Sequence, residues 1–122
     1  QKWFSPATPW ALSAFEVGGR LYVPDAETGA ELYVQVIDVI DPPYQFVTHT
    51  LSEPLTPTHA TIWTLVEENG GTRLTITHAG YELEREENRW NNMEQNAFGF
   101  GMMMENLQAY LLDTSLPYPS GF

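Results

Sequence analysis

Proton transfer and metal binding in this 122-residue chain would fall to three histidines and sixteen carboxylates, because cysteine is absent and thiol chemistry with it. His49, His59 and His78 form no His-x-x-x-His or Cys/His cluster, so their spacing offers no metal site, and no cofactor motif accompanies them. His49 falls within a predicted strand, His59 opens one and His78 closes one beside Ala79-Gly80, where a histidine usually serves as a hydrogen-bonded structural group. Glu67-Glu68 flank a predicted turn and read as solvated. Glu82, Glu84, Glu86 and Glu87 gather where a helix begins and suit the positive end of its dipole. Asp38 stands apart, since it interrupts the apolar series Leu32, Val34, Val36 and Ile40. On a cavity wall such a carboxylate would hold its proton more tightly and could anchor a ligand or act as a base. At an exposed strand end, or paired with Arg73 or Arg20, it would do neither.

The elements that must position these groups are mostly strands. Ala11 to Glu16 reads as a short strand, Gly18-Gly19 as a hairpin turn, and Arg20 to Val23 as the return. Ala30 to Ile40 forms a long strand with Leu32, Val34, Val36 and Ile40 on one face and Glu31, Tyr33, Gln35, Ile37 and Val39 on the other. Pro42-Pro43 cannot donate to a ladder and must end it. Tyr44 to Leu51 follows, then a Pro/Thr-rich loop from Ser52 to Thr58. Asn69-Gly70-Gly71 is the strongest turn signal and joins His59–Glu67 to Thr72–Tyr81, two runs rich in β-branched and aromatic residues.

From Arg85 onward the period changes to about 3.6 residues, and Trp90, Met93, Ala97, Phe100, Met104, Leu107 and Leu111 recur on one helical stripe. That stripe is expected to lie against the sheet. Gly99 and Gly101 weaken the helix by roughly 1 kcal/mol each relative to alanine. Met102-Met103-Met104 sweep well over half its circumference, so they predict an exposed apolar patch and hence a homodimer or a truncated domain. The tail from Leu116 to Phe122, with two prolines, cannot continue the helix.

A formal net charge of −11 repels phosphate backbones and anionic lipid headgroups, which argues against nucleic-acid and membrane binding. No apolar run reaches membrane-spanning length, and Gln1-Lys2-Trp3-Phe4-Ser5-Pro6 lacks the apolar core of a signal peptide. The expectation is one cytoplasmic domain over residues 1–122, with no repeat or linker.

In order along the chain, Lys2-Trp3-Phe4, Val17-Gly18-Gly19-Arg20-Leu21, Ile40-Asp41-Pro42-Pro43, Ile62-Trp63-Thr64-Leu65, Gly71-Thr72-Arg73-Leu74-Thr75-Ile76-Thr77-His78, and Leu107 with Tyr110-Leu111 resemble the Hsp90-ATPase-activator-homologue-like branch of the START/Bet v 1-like superfamily. Two departures stand out: Phe100 replaces the family's helical Trp, and the family's first strand and helix have no counterpart before Lys2. The resemblance implies an α+β helix-grip fold, a curved antiparallel sheet wrapped around a long C-terminal helix, truncated at its amino terminus. It further implies non-enzymatic binding of a small apolar ligand between sheet and helix. The expected wall is Val34, Val36, Phe46, Ile62, Thr64, Leu74, Ile76, Phe100 and Met104, with Asp38 and His78 as polar anchors. Two alternatives stay open: a polyketide-cyclase-like or hydrolase-like enzyme using His78 or Asp38 as acid or base, and a chaperone-regulating protein.

Overall fold

The computed structural model describes residues 2–4, 6–52 and 56–120, without side chains for 52–57. Six strands, β1 (Ala11–Leu12), β2 (Arg20–Pro24), β3 (Glu31–Asp41), β4 (Gln45–Ser52), β5 (Thr56–Glu68) and β6 (Gly71–Ala79), pair antiparallel in sequence order. One turn of 3₁₀ helix, Tyr81–Leu83, leads to a 26-residue helix α1, Glu86–Leu111. An antiparallel sheet followed by one long C-terminal helix makes this an α+β fold of the helix-grip class. Two compact units divide the chain, residues 11–85 and residues 1–10 with 86–122. No described helix is long and apolar enough to cross a membrane.

The sheet is a meander because every connection is local. The β5–β6 turn places Asn69 at φ 50° and Gly70 at φ 76°, the left-handed pair that a two-residue hairpin matched to strand twist requires. Pro42-Pro43 ends β3, as its missing donors demand, and carries a cis peptide bond. The first strand is shorter than expected: β1 stops at Leu12, and bends and turns fill the stretch up to Gly18. Ser13 and Arg20 still exchange a backbone bond of 2.9 Å, and Gly18 and Gly19 pair with Ile37 at 2.8 Å each. The Pro/Thr stretch partly joins the sheet, since β5 begins at Thr56, while 53–55 lie outside the described residues.

Simple alternation misassigns the faces of β3. Leu21 pairs with Gln35 but Val23 with Leu32, and Ile37 pairs with Thr48 but Val39 with Val47, so β3 carries two extra residues. Tyr33, at φ 52°, lies within the first of these bulges. Each extra residue reverses the alternation beyond it. Directly paired residues share a face, which puts Gln35, Ile37 and Ile40 with Phe46, Thr48, Thr61, Trp63, Leu65, Leu74, Ile76 and His78 on a first face. Val36, Val39, Val47, Ile62, Thr64, Thr75 and Thr77 belong to the second. The first face is the shielded one along β6, where Leu74, Ile76 and His78 are half-buried and Thr75, Thr77 and Ala79 are exposed. Ile37, Thr48 and Thr61, adjacent across three strands, are 1 %, 1 % and 3 % exposed.

In the other unit, the shielded line of α1 runs through Arg89, Asn92, Asn96, Phe100, Met103 and Asn106. This corrects the expected stripe in part: Met93, Phe100, Met104 and Leu107 are half-buried, but Trp90 and Leu111 are 74 % and 72 % exposed, and Ala97 is exposed as well. Positions one residue apart differ by only 100° on a helix, so an apolar count cannot separate two stripes when asparagines occupy the protected one. Asn106 explains its own burial. Its Nδ2 donates to the carbonyls of Trp3 at 3.3 Å and Tyr118 at 2.9 Å, and its Oδ1 accepts from the Tyr118 N–H at 2.9 Å. One amide thereby ties the amino-terminal segment and the tail to α1. Met103 is fully buried and Met102 and Met104 half-buried, so the exposed large hydrophobic side chains of the helix are Trp90, Phe98, Tyr110 and Leu111 rather than the methionine run.

Candidate functional site

Along its strands the first face changes character. At the end near Pro42-Pro43 it is apolar: Ile40, Phe46, Trp63 and Ile76 form one row across β3 to β6, and Leu65 with Leu74 forms the next. Phe15, from the segment between β1 and β2, stacks on Phe46 with ring centroids 6.2 Å apart. These two rings, with Ile40, Pro42, Pro43, Gln45 and Leu65, line an open cavity of about 310 Å³, at the lower end of small-molecule site volumes.

At its other end the same face is hydrogen-bonding. Thr48 donates its hydroxyl to the Gln35 side chain at 2.8 Å, and Thr61 Oγ1 lies 3.3 Å from His78 Nδ1. His59 approaches Glu84 Oε1 through Nδ1 at 2.8 Å, and its Nε2 faces Thr50 Oγ1 at a loose 3.4 Å. The paired side chains are only 12 % and 7 % exposed. The Tyr81 ring stacks on His59 at 4.7 Å and 12°, and the His78 ring meets it edge-on at 5.9 Å. Burial holds the His78 pKa below its ordinary 6.5, and neighbouring His59 pushes in the same direction. His78 is therefore a neutral imidazole at neutral pH.

Gly80 builds this corner. At φ 90° it turns the chain from β6 into the 3₁₀ turn, and a Cβ there would lie 3.4 Å from the His59 Cα. The turn brings Tyr81 over the imidazole, and Glu84, the residue ending the turn, returns its carboxylate to His59. Glu84 thus does not serve the helix dipole; Glu86 and Glu87 occupy the first turn of α1.

The predicted site residues separate. Phe46, Leu74, Ile76 and His78 share the first face, whereas Val36, Ile62 and Thr64 occupy the second; Val34, buried, lies inside the first bulge of β3. The β3 bulge between Ile37 and Val39 puts Val36 on the face opposite Phe46, while plain alternation in the unbroken β5–β6 register puts Ile62 and Thr64 on the face opposite Leu74 and Ile76. Asp38 bonds His49 Nδ1 at 2.8 Å, its side chain 40 % exposed, while Arg20 pairs with Glu31 and Arg73 with Glu68. Asp38 is therefore a solvated strand-end carboxylate on the second face and no buried base. Phe100 and Met104 are half-buried on α1.

Sequence reasoning passed over His59, Thr50, Thr61, Tyr81 and Glu84 as a group. The only available signal was Gly80 after a strand, which marks a reversal but not what the returning chain will meet. Among the described residues no three His, Asp or Glu side chains are placed to hold a metal ion.

No curated protein and no solved structure matches the chain. The family described as Activator of Hsp90 ATPase homolog 1-like protein matches residues 1–112, and with that match the chain, an α+β fold of antiparallel sheet and C-terminal helix, belongs to this family of the START/Bet v 1-like superfamily.

Proposed function

We propose that this protein binds a small, largely apolar molecule on the first face of its sheet. The observation that carries this reading is the change along that face from the Phe15–Phe46 cavity and the Ile40, Trp63, Ile76 row to the Thr61–His78 and His59–Glu84 hydrogen-bonding end. An apolar surface with a few convergent polar groups is the general form of a small-molecule site. Phe46, Leu74, Ile76 and His78 remain the site residues of this reading, joined by Phe15, Ile40, Trp63 and Thr61. Family membership supports it, since the START-like fold is one that accommodates small ligands. Cytoplasmic placement and self-association through the exposed Trp90, Phe98 and Leu111 are compatible proposals.

Native mass spectrometry of gently purified protein tests both binding and assembly, with a retained low-mass compound as the expected result. Titration with an environment-sensitive anilinonaphthalene dye supplies the control. Phe46→Glu is expected to weaken dye binding roughly tenfold or more, because a carboxylate would be desolvated at the apolar end. Val47→Glu, on the second face, should leave it near wild type. Absence of saturable binding, or equal loss in both variants, would overturn the proposal.

A further inference from the structure

We propose that the outer edge of β6 is a docking strand for a second copy of this chain, which joins it antiparallel about Leu74 to make one continuous sheet. The inference concerns assembly and does not depend on the ligand reading.

β6 ends the sheet, with a strand on one side of it only. The hairpin turn decides which of its backbone groups point outward. In a two-residue hairpin the residues flanking the turn, here Glu68 and Gly71, exchange both backbone bonds, and the direction of bonding alternates along the strand from there. Gly71, Arg73, Thr75 and Thr77 therefore bond β5, whereas the N–H and carbonyl groups of Thr72, Leu74 and Ile76 face away from it. Among the described residues, none of these three enters a backbone bond outside the ladder.

Natural sheet edges are blunted by proline, lysine, a bulge or shortness. β6 runs from Gly71 to Ala79 without proline or lysine, and its register with β5 is unbroken. It also carries no carboxylate, so two chains of formal net charge −11 meet there without opposed acidic groups.

Self-complementarity names the occupant and the register. A two-fold axis at Leu74 sets this residue opposite Leu74 of the second copy and Thr72 opposite its Ile76, and each such pair exchanges both backbone bonds. Arg73 then faces Thr75 of the second copy, and no cation meets its own kind. An axis at Arg73 would oppose the two guanidinium groups. On the first face, the cross-strand pair Leu65 and Leu74 runs on into Leu74 and Leu65 of the second copy, which carries the apolar row across the join.

Sedimentation equilibrium and amide hydrogen exchange on the whole chain test the proposal. The expected result is a reversible, concentration-dependent dimer at twice the 13.8 kDa chain mass. The amides of Thr72, Leu74 and Ile76 should exchange fast when dilute and slow by roughly tenfold or more as the dimer forms, while those of Arg73 and Thr75 stay protected throughout. Thr72→Pro removes an outward donor, leaves the β5 ladder intact and should abolish association. Substitutions at the exposed Thr75 read the register, and they stand if Thr72→Pro fails to fold. Thr75→Glu should tighten the dimer a few-fold by facing Arg73, and Thr75→Lys should weaken it by roughly tenfold by opposing like charges. Net charge alone predicts the reverse order, since glutamate adds to −11 and lysine subtracts from it. A chain that stays monomeric, a dimer that survives Thr72→Pro, the reverse order at Thr75, or the same contrast appearing at Thr77 instead would overturn the proposal. So would protection of Thr72, Leu74 and Ile76 at every dilution, which would assign the edge to a segment of the same chain, or a dimer lost in Trp90→Glu and kept in Thr72→Pro, which would assign assembly to the helix.

Discussion

His59–Glu84 and His49–Asp38 are the same two groups at the same 2.8 Å separation, in opposite circumstances. The first pair lies at the shielded hydrogen-bonding end of one face, under a tyrosine ring, with side chains 12 % and 7 % exposed. The second lies on the other face, 24 % and 40 % exposed. Local sequence points the opposite way: both histidines sit in strands, but Asp38 lies between Ile37 and Val39 while Glu84 lies in the charged run from Glu82 to Glu87. Burial makes the difference. Water already solvates Asp38, so its partner adds little, whereas Glu84 has given up most of its water and gains more from the imidazole.

The largest effect expected from this contrast is in stability. Removing one partner of a shielded pair takes a short contact from a group that has little water to replace it, so His59→Ala should cost about 3 kcal/mol in urea unfolding at neutral pH. Asp38→Ala should cost less than about 1 kcal/mol in the same measurement. Equal costs would show the two pairs to be energetically alike.

Next in size is the hinge that creates the shielded pair. Gly80→Ala forces a side chain into a left-handed conformation and against the His59 backbone, which should destabilise by about 1–2 kcal/mol. Shifts of the His59 and Tyr81 ring resonances in NMR spectra would locate that strain, while His49 should stay unmoved.

A smaller effect concerns pH. His78 has a folded-state pKa below its ordinary 6.5, so between those two values the unfolded chain binds a proton that the folded one does not. Its contribution to stability is therefore fully present above 6.5 and declines as pH falls toward the folded value. His78→Gln should flatten the slope of stability against pH in that window, which denaturation midpoints through mildly acidic pH will show. The smallest effect is that of salt. Raising ionic strength to about 1 M shortens screening to about 3 Å, so the cost of Asp38→Ala should vanish while that of His59→Ala persists.

The contrast also marks what a sequence can reveal. Turns were legible because their causes are local: Asn69-Gly70 takes the left-handed pair and Pro42-Pro43 ends its strand wherever they occur. The long strands and α1 followed from period and β-branching. The faces of β3 were not legible, because two extra residues reverse its alternation and nothing in Glu31–Asp41 announces a bulge. The bulge parted Val36 from Phe46, and the β5–β6 register parted Ile62 and Thr64 from Leu74 and Ile76. His59–Glu84 joins residues 25 apart through a chain reversal, and Asn106 is buried for bonds to Trp3 and Tyr118. Partners chosen by tertiary structure leave no periodic trace.

The central claim is that the first face binds an apolar molecule, and ligand titration followed by side-chain NMR tests it most directly. With 4-nitroanisole as probe, the account predicts saturable shifts at Ile40, Phe46, Trp63 and Ile76, with Val36, Ile62 and Thr77 unmoved. Shifts concentrated on Val36, Ile62 and Thr77, or no saturable shift on the sheet at all, would contradict it.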